Sequence, residues 1–155
     1  MQGHAPVDEW SVLMRGSHCI RHWSTTQPTI ALSSGEAELG GICKGAANAI
    51  GLRSVARDLG IRLDVTVRSD ATAALSMSRR MGVGKVRHLD TSLLWIQQKV
   101  KDRDLAVDKI PGAVNPADCL TKHVDHATML KHLTSMGLEY ESGRAESAPT
   151  LAPLK

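Results

Sequence analysis

The sequence predicts one α/β domain built on a mixed sheet. The chain has 155 residues, about the length of a single domain. Hydrophobic residues make up 42% and charged residues 23% of the chain, which is ordinary for a globular protein. The predicted elements run strand, strand, helix, strand, helix, helix, strand, helix, an order that indicates α/β architecture.

The charge balance and the cysteine spacing limit the kinds of partner and site that the chain can have. Lys and Arg outnumber Asp and Glu by 19 to 16, a bias that permits a polyanionic partner without requiring one. Cys19, Cys43 and Cys119 are far apart and form no CxxC pair, so the sequence indicates neither a disulfide framework nor a cysteine zinc site. A reduced, intracellular setting is the simplest interpretation. Because no signal peptide and no membrane-spanning apolar stretch is present, we expect no membrane partner.

The chain is predicted to open with a hairpin. Residues 1–9 are polar and irregular in pattern. Residues 10–14 and 18–24 are typical of two strands joined by the turn at 15–17. A third extended segment, residues 28–32, leads to the longest helical pattern.

The main helix is predicted to begin with a capping box, Ser33 followed by Glu36. Because side chains two positions apart do not share a helix face, Glu38 points away from Glu36 and is available for another role. We expect a break near Gly51 and a helix stop at Gly60. Apolar residues recur at helical spacing along it: Leu39, Ile42, Cys43, Ala46 and Ile50.

The second half is predicted to alternate strands and helices. Asn115, Pro116 and Asp118 form a strong helix start, with a cap, a first-position proline and a first-turn acid. Composition predicts a disordered tail over residues 139–155, so the folded domain spans residues 10–138. The remaining predicted elements are a strand at 63–69, helices at 71–79 and 89–101, a strand at 105–110 and an amphipathic segment at 126–138.

Three acids stand at positions where chemistry is often found. Glu38 is in the first turns of the main helix, Asp70 ends a central strand, and Asp118 is in the first turn of a late helix. In open α/β sheets ligands bind beyond the carboxyl ends of the strands. Converging carboxylates there would suit Mg²⁺ or Mn²⁺. The alternative is that these acids only favour helix starts and strand ends.

Basic residues surround the loop that contains Gly82 and Gly84, and they could contact phosphates or form a solvated loop. His88 is best explained as a structural histidine, and a metal pair of Asp118 with His123 is a weaker alternative. The basic residues are Arg79, Arg80, Lys85 and Arg87.

Four ordered blocks of sequence resemble one known family. They are residues 23–38 (WSTTQPTIALSSGEAE), 69–74 (SDATAA), 85–97 (KVRHLDT, then LWIQ) and 111–122, which holds NPAD and LTK. In order and spacing these blocks resemble the ribonuclease H domain of copia-type LTR retrotransposon polyproteins. The resemblance covers about residues 11 to 124.

The resemblance implies a ribonuclease H-like mixed sheet flanked by helices, and hydrolysis of the RNA strand of RNA–DNA hybrids. It implies that Glu38, Asp70 and Asp118 are three of four acids that bind two Mg²⁺ or Mn²⁺ ions. The implied partners are the hybrid and an upstream reverse transcriptase domain. The implied location is a cytoplasmic retroelement particle or the nucleus.

The sequence departs from the family pattern at its start. The family's first acid lies on a strand that precedes the hairpin, and this chain begins too late to contain it; Asp8 is a weak substitute. We therefore expect a domain truncated at its amino terminus, with an open edge or gap in its sheet. The alternatives are a catalytically inactive nucleic-acid-binding remnant, a fragment without function, or a generic α/β domain.

Overall fold

The computed structural model describes residues 8–27, 31–84, 91–120, 123–139 and 143. Its α-helices and strands, in chain order, are β1 (Asp8–Arg15), β2 (His18–Thr26), α1 (Ser34–Asp58), β3 (Thr66–Ser69), α2 (Thr72–Arg79), α3 (Trp95–Lys101), β4 (Ala106–Lys109) and α4 (His126–Ser135). Three short 3₁₀ helices cover Thr91–Leu94, Gly112–Val114 and Pro116–Leu120. The described part of the chain is therefore mixed α/β, as the element order predicts.

The strands form two small sheets. β1 and β2 pair antiparallel, with Ser11 opposite Trp23 and an irregularity after Leu13. β3 and β4 pair parallel, with Ser69 opposite Lys109. Among the described residues no strand joins the two pairs, so the strands of the predicted mixed sheet form two separate two-stranded sheets, one antiparallel and one parallel.

Helix α1 begins as the capping box predicts. The Ser33 hydroxyl accepts a hydrogen bond from the Glu36 amide at 3.2 Å. The buried Glu36 carboxylate accepts from the amide of Leu32 at 2.8 Å, one residue before the cap. At the other end Gly60 has a φ of +78° and Ile61 donates to the Ala56 carbonyl, which closes the helix where the sequence predicts.

The predicted break near Gly51 is wrong. α1 runs without interruption through all 25 residues from Ser34 to Asp58. A glycine costs a helix only about 1 kcal/mol, and burial of Leu39, Ile42 and Ala46 against the rest of the core outweighs that cost. Local propensity is overridden here by packing.

The hydrophobic core lies between α1, α2, α3 and the parallel strands. α1 contacts both β1 and β3, and so connects the two small sheets. The hairpin is attached to α1 by polar contacts as well, since Arg21 donates to the Asn48 side-chain oxygen at 3.1 Å. The buried residues of the main cluster are Leu39, Ile42, Cys43, Ala46, Val65, Ala74, Leu75, Met77, Ile96, Leu105 and Val107.

Other boundaries differ modestly from the predictions. β1 begins at Asp8, inside the segment predicted to be irregular, and β3 begins at Thr66 rather than at residue 63. Of the predicted extended segment 28–32, residues 28–30 lie outside the described part, and residues 31 and 32 are not in a strand. The helix predicted to follow Asn115 is a short 3₁₀ helix.

Helix α4 closes the structure against the hairpin turn. Asp125 caps it, since its carboxylate accepts from the Thr128 amide at 2.7 Å. At its end the amide of Cys19 donates to the Met136 carbonyl at 2.9 Å. Except for residues 139 and 143, the predicted tail 139–155 lies outside the described residues and stays a prediction. Within the described residues, no helix has the combination of length and apolarity that a membrane crossing needs.

Candidate functional site

Asp70 lies directly after β3, at the carboxyl ends of two parallel strands. The strands end flush, because Ser69 pairs with Lys109 and the amide of Ile110 donates to the Ser69 carbonyl at 3.1 Å. The Ser69 hydroxyl accepts from the Ala71 amide at 3.1 Å, which forms the turn into α2. Asp70 is exposed at the tip of this turn. This is the edge where α/β proteins place ligands.

The loop after β4 passes beside Asp70. A Cβ added to Gly112 would lie 3.2 Å from the Asp70 carboxylate oxygen Oδ2. Gly112 opens a short 3₁₀ turn that ends at Val114. The structure therefore brings Asp70 against the loop that leads to Asp118.

Asp118 is held in the first turn of its 3₁₀ helix. The Asn115 side chain accepts from the Ala117 amide at 3.2 Å, and the Asp118 amide donates to the Asn115 carbonyl at 3.1 Å. The cap and the first-position proline therefore act as predicted, although the helix is shorter. Asp118 is half-buried.

Glu38 is exposed on the second turn of α1, while Glu36 is buried in the cap. The two acids thus separate as the helix geometry predicts. The start of α1 packs on α2, because a Cβ at Gly35 would lie 3.2 Å from the Ala73 side chain. Glu38 therefore projects from a helix start that contacts the helix following Asp70.

The acids do not assemble into a three-ligand metal centre. Across residues 8–27, 31–84, 91–120, 123–139 and 143, no three or more His, Cys, Asp or Glu side chains are arranged to hold a metal ion. Carboxylate oxygens are the right donors for Mg²⁺, but the set formed by Glu38, Asp70 and Asp118 does not meet that arrangement. Cys43 adds no soft ligand, because burial raises the pKa of its thiol to about 12.

Two of the predicted phosphate-binding residues have structural contacts. Arg79 donates to the Val107 carbonyl and lies 3.8 Å from the Asp108 carboxylate, with its side chain about half exposed. Arg80 donates to the Val83 carbonyl at 2.7 Å, and its buried Nε has no hydrogen-bond partner among the described residues. Lys85, Arg87 and His88 lie outside the described residues. Arg80 therefore stabilises its own loop.

Lys109 is a residue of this site that the sequence reasoning missed. It ends β4 and is exposed, and its Nζ donates to the Thr72 hydroxyl at 3.0 Å. Its parallel pairing with Ser69 sets it beside the residue that precedes Asp70. Nothing in the linear pattern shows this proximity, since only the strand register brings the two segments together.

The fold and site define a mixed α/β protein with a carboxylate, Asp70, and a lysine, Lys109, at the carboxyl ends of a parallel strand pair. No known family model matches the chain, and neither curated protein sequences nor solved structures show a significant similarity to it.

Proposed function

We propose that the chain is a ribonuclease H-type domain that hydrolyses the RNA strand of RNA–DNA hybrids, derived from a copia-type retrotransposon. The proposal begins from the four ordered sequence blocks, which cover about residues 11 to 124. The structural observation that carries it is Asp70, exposed at the carboxyl end of β3 and next to the Gly112 turn that leads to Asp118.

The chemistry at this edge is phosphodiester hydrolysis. Water adds to phosphorus in line with the 3′ oxygen, the bond to that oxygen breaks, and the departing oxygen takes a proton. The products are a 5′-phosphate and a 3′-hydroxyl. The 2′-hydroxyls of the RNA strand distinguish the hybrid from duplex DNA.

The proposed role of Asp70 is to supply a carboxylate at a fixed position. This carboxylate would orient the attacking water and the divalent cation. The Ser69 hydroxyl supports this role, because it holds the turn through the Ala71 amide and so fixes the backbone on either side of Asp70. Dependence on Mg²⁺ or Mn²⁺ is part of the proposal. It follows from the sequence resemblance, while the acids of the described residues form no three-ligand group.

A second candidate is binding of the hybrid without hydrolysis. Two observations on the acids favour it. Glu36 is occupied in capping α1. Within the described residues, Glu38, Asp70 and Asp118 do not form a three-ligand set for a metal ion. Such a domain would retain phosphate contacts from its basic residues.

The two candidates are separated by incubating the chain with a labelled RNA–DNA hybrid in Mg²⁺ and in Mn²⁺. The Asp70→Asn variant, which keeps the side-chain size, is assayed beside it. For the hydrolase we expect metal-dependent cleavage that the variant loses by roughly a hundredfold or more, since a preorganised charge at the reacting centre is removed.

Two controls complete this assay. Duplex DNA of the same sequence should stay intact, and the thermal unfolding of Asp70→Asn should match that of the unsubstituted chain because Asp70 is exposed. Cleavage that persists in the variant contradicts the assigned site. Binding without cleavage in either metal supports the second candidate.

A further inference from the structure

The Lys109 ammonium can make further hydrogen bonds besides the one that it makes to the fold. It is the last residue of β4, and its side chain is exposed. Its Nζ donates to the Thr72 hydroxyl, which is a neutral group that leaves the lysine charge uncompensated at this contact. The nearby Asp108 instead lies 3.8 Å from Arg79.

The strand register directs Lys109 to the same edge as Asp70. Paired residues of parallel strands lie on the same face, so the Ser69 and Lys109 side chains run side by side. Both reach the start of α2: the Ser69 hydroxyl accepts from the Ala71 amide, and the Lys109 ammonium donates to Thr72. Asp70 immediately precedes Ala71 and Thr72 in the sequence.

We propose that Lys109 binds a backbone phosphate of the RNA–DNA hybrid whose neighbouring phosphodiester lies at Asp70. The inference rests on the proposed function, because it places the same hybrid on the same strand edge. A lysine ammonium with three donors can keep its bond to Thr72 and still donate to a phosphate oxygen. An exposed cation on the same strand edge as Asp70 would also offset the repulsion between the Asp70 carboxylate and the polyanion.

A purely structural role makes a different prediction. If Lys109 serves only to attach β4 to α2, removing its partner hydroxyl should have the same consequence as removing the ammonium. The Thr72→Val variant removes that hydroxyl and keeps the side-chain shape. The Lys101→Met variant removes one exposed lysine charge from the end of α3, which precedes the opposite end of β4.

The experiment is equilibrium binding of a fluorescent RNA–DNA hybrid across a series of NaCl concentrations. All variants carry Asp70→Asn so that the RNA is not hydrolysed. Lys109→Met should weaken binding roughly three- to tenfold and lower the slope of log affinity against log salt by about one. Lys109→Arg should restore both values, whereas Thr72→Val and Lys101→Met should stay close to the Asp70→Asn parent.

A second measurement needs no substitution at Lys109 and uses the Asp70→Asn chain. Amine acetylation followed by mass spectrometry should show that the hybrid protects Lys109 and leaves Lys101 reactive, since both side chains are exposed in the free chain. Unchanged affinity and slope in Lys109→Met, or equal losses in Thr72→Val, overturns the inference while leaving hybrid cleavage by the unsubstituted chain intact. A chain that neither binds nor cleaves the hybrid overturns both proposals.

Discussion

The carboxylate of Asp70 lies against the backbone of Gly112, at a distance that leaves no ordinary room for a side chain. A Cβ at Gly112 would be 3.2 Å from Asp70 Oδ2, tighter than most Cβ contacts. Two segments far apart in sequence therefore meet where β3 and β4 end. Any substituent at Gly112 has to displace the carboxylate or the turn.

Gly112→Ala is therefore expected to impair the site more than the fold. Gly112 has no left-handed φ, so alanine can adopt the backbone conformation, and we expect a stability change below about 1 kcal/mol. Displacement of Asp70 by a few tenths of an ångström should lower hybrid cleavage by up to about tenfold, since a misplacement of about 1 Å can cost about a hundredfold. Cleavage rate and thermal unfolding, measured on the same preparation, check both halves of this prediction.

Gly51→Ala is the matched control for that substitution. A Cβ at Gly51 would meet no atom within 4 Å, and the position is exposed on α1. This variant should cleave the hybrid like the unsubstituted chain. Equal cleavage by Gly112→Ala and Gly51→Ala would show that the position of Asp70 does not limit the reaction.

A second pair of glycines tests the fold itself. Gly137 has a φ of +67°, and its added Cβ would lie 2.7 Å from the Ser17 carbonyl oxygen. Gly137→Ala should therefore destabilise the chain by about 2 kcal/mol or more, through left-handed strain and a clash with backbone. Gly51→Ala should instead stabilise it by about 0.5–1 kcal/mol, because alanine is the better helix former. Urea unfolding of the two variants should move in opposite directions.

The buried amide of Gln97 is expected to be a large single contribution to stability. Its Nε2 donates to the carbonyls of Met77 and Gly82 at 2.9 and 3.0 Å, and its Oε1 accepts from the Gly82 amide at 2.7 Å. Gln97→Ala leaves these groups without their partner and opens a cavity, so we expect a loss of about 2–4 kcal/mol.

The neighbouring Gln98 provides the comparison. Its side chain is exposed and donates to the Asp102 carboxylate at 2.7 Å. Gln98→Ala should change the free energy of unfolding by less than about 1 kcal/mol. If both variants lose a similar free energy of unfolding, the loss comes from shortening any glutamine side chain on α3 and not from removing the buried amide.

Local signals in the sequence predicted the ends of α1 well. Ser33 and Glu36 mark its start, and Gly60 its stop, because each acts on backbone groups within a few residues. The predicted break at Gly51 is wrong because it depends on contacts that are distant in the sequence. Whether a glycine interrupts a helix depends on what the whole helix packs against, and that is not local information.

In the candidate site, too, the sequence predicts local features but not contacts between distant segments. The sequence predicts that Asp70 ends a strand, since that depends on a short run of residues. It does not predict that Gly112 lies beside Asp70 or that Lys109 pairs with Ser69, because both proximities follow from parallel pairing across about forty residues. Nor does the basic pattern at Arg80 reveal that its guanidinium is bound to its own loop.

Asp104 gives a prediction for the pH dependence of stability. Hydrogen bonds from Lys99 and then from Arg53 hold the pKa of its carboxyl below the ordinary value of 3.8. A carboxyl whose pKa is lower in the folded state stabilises the fold fully above its unfolded pKa, and this stabilisation is lost as the pH falls through the folded pKa. The contacts are 2.7 Å on each side, and the side chain is 30% exposed.

Asp104→Asn should therefore be less stable than the unsubstituted chain near pH 6, and the difference should shrink as the pH falls below about 4. Urea unfolding at a series of pH values measures this difference directly. Because the three side chains are partly exposed, 1 M NaCl should reduce the difference near pH 6. A difference that stays constant from pH 6 to below 3 would show that the loss in Asp104→Asn comes from packing and not from its ion pairs with Lys99 and Arg53.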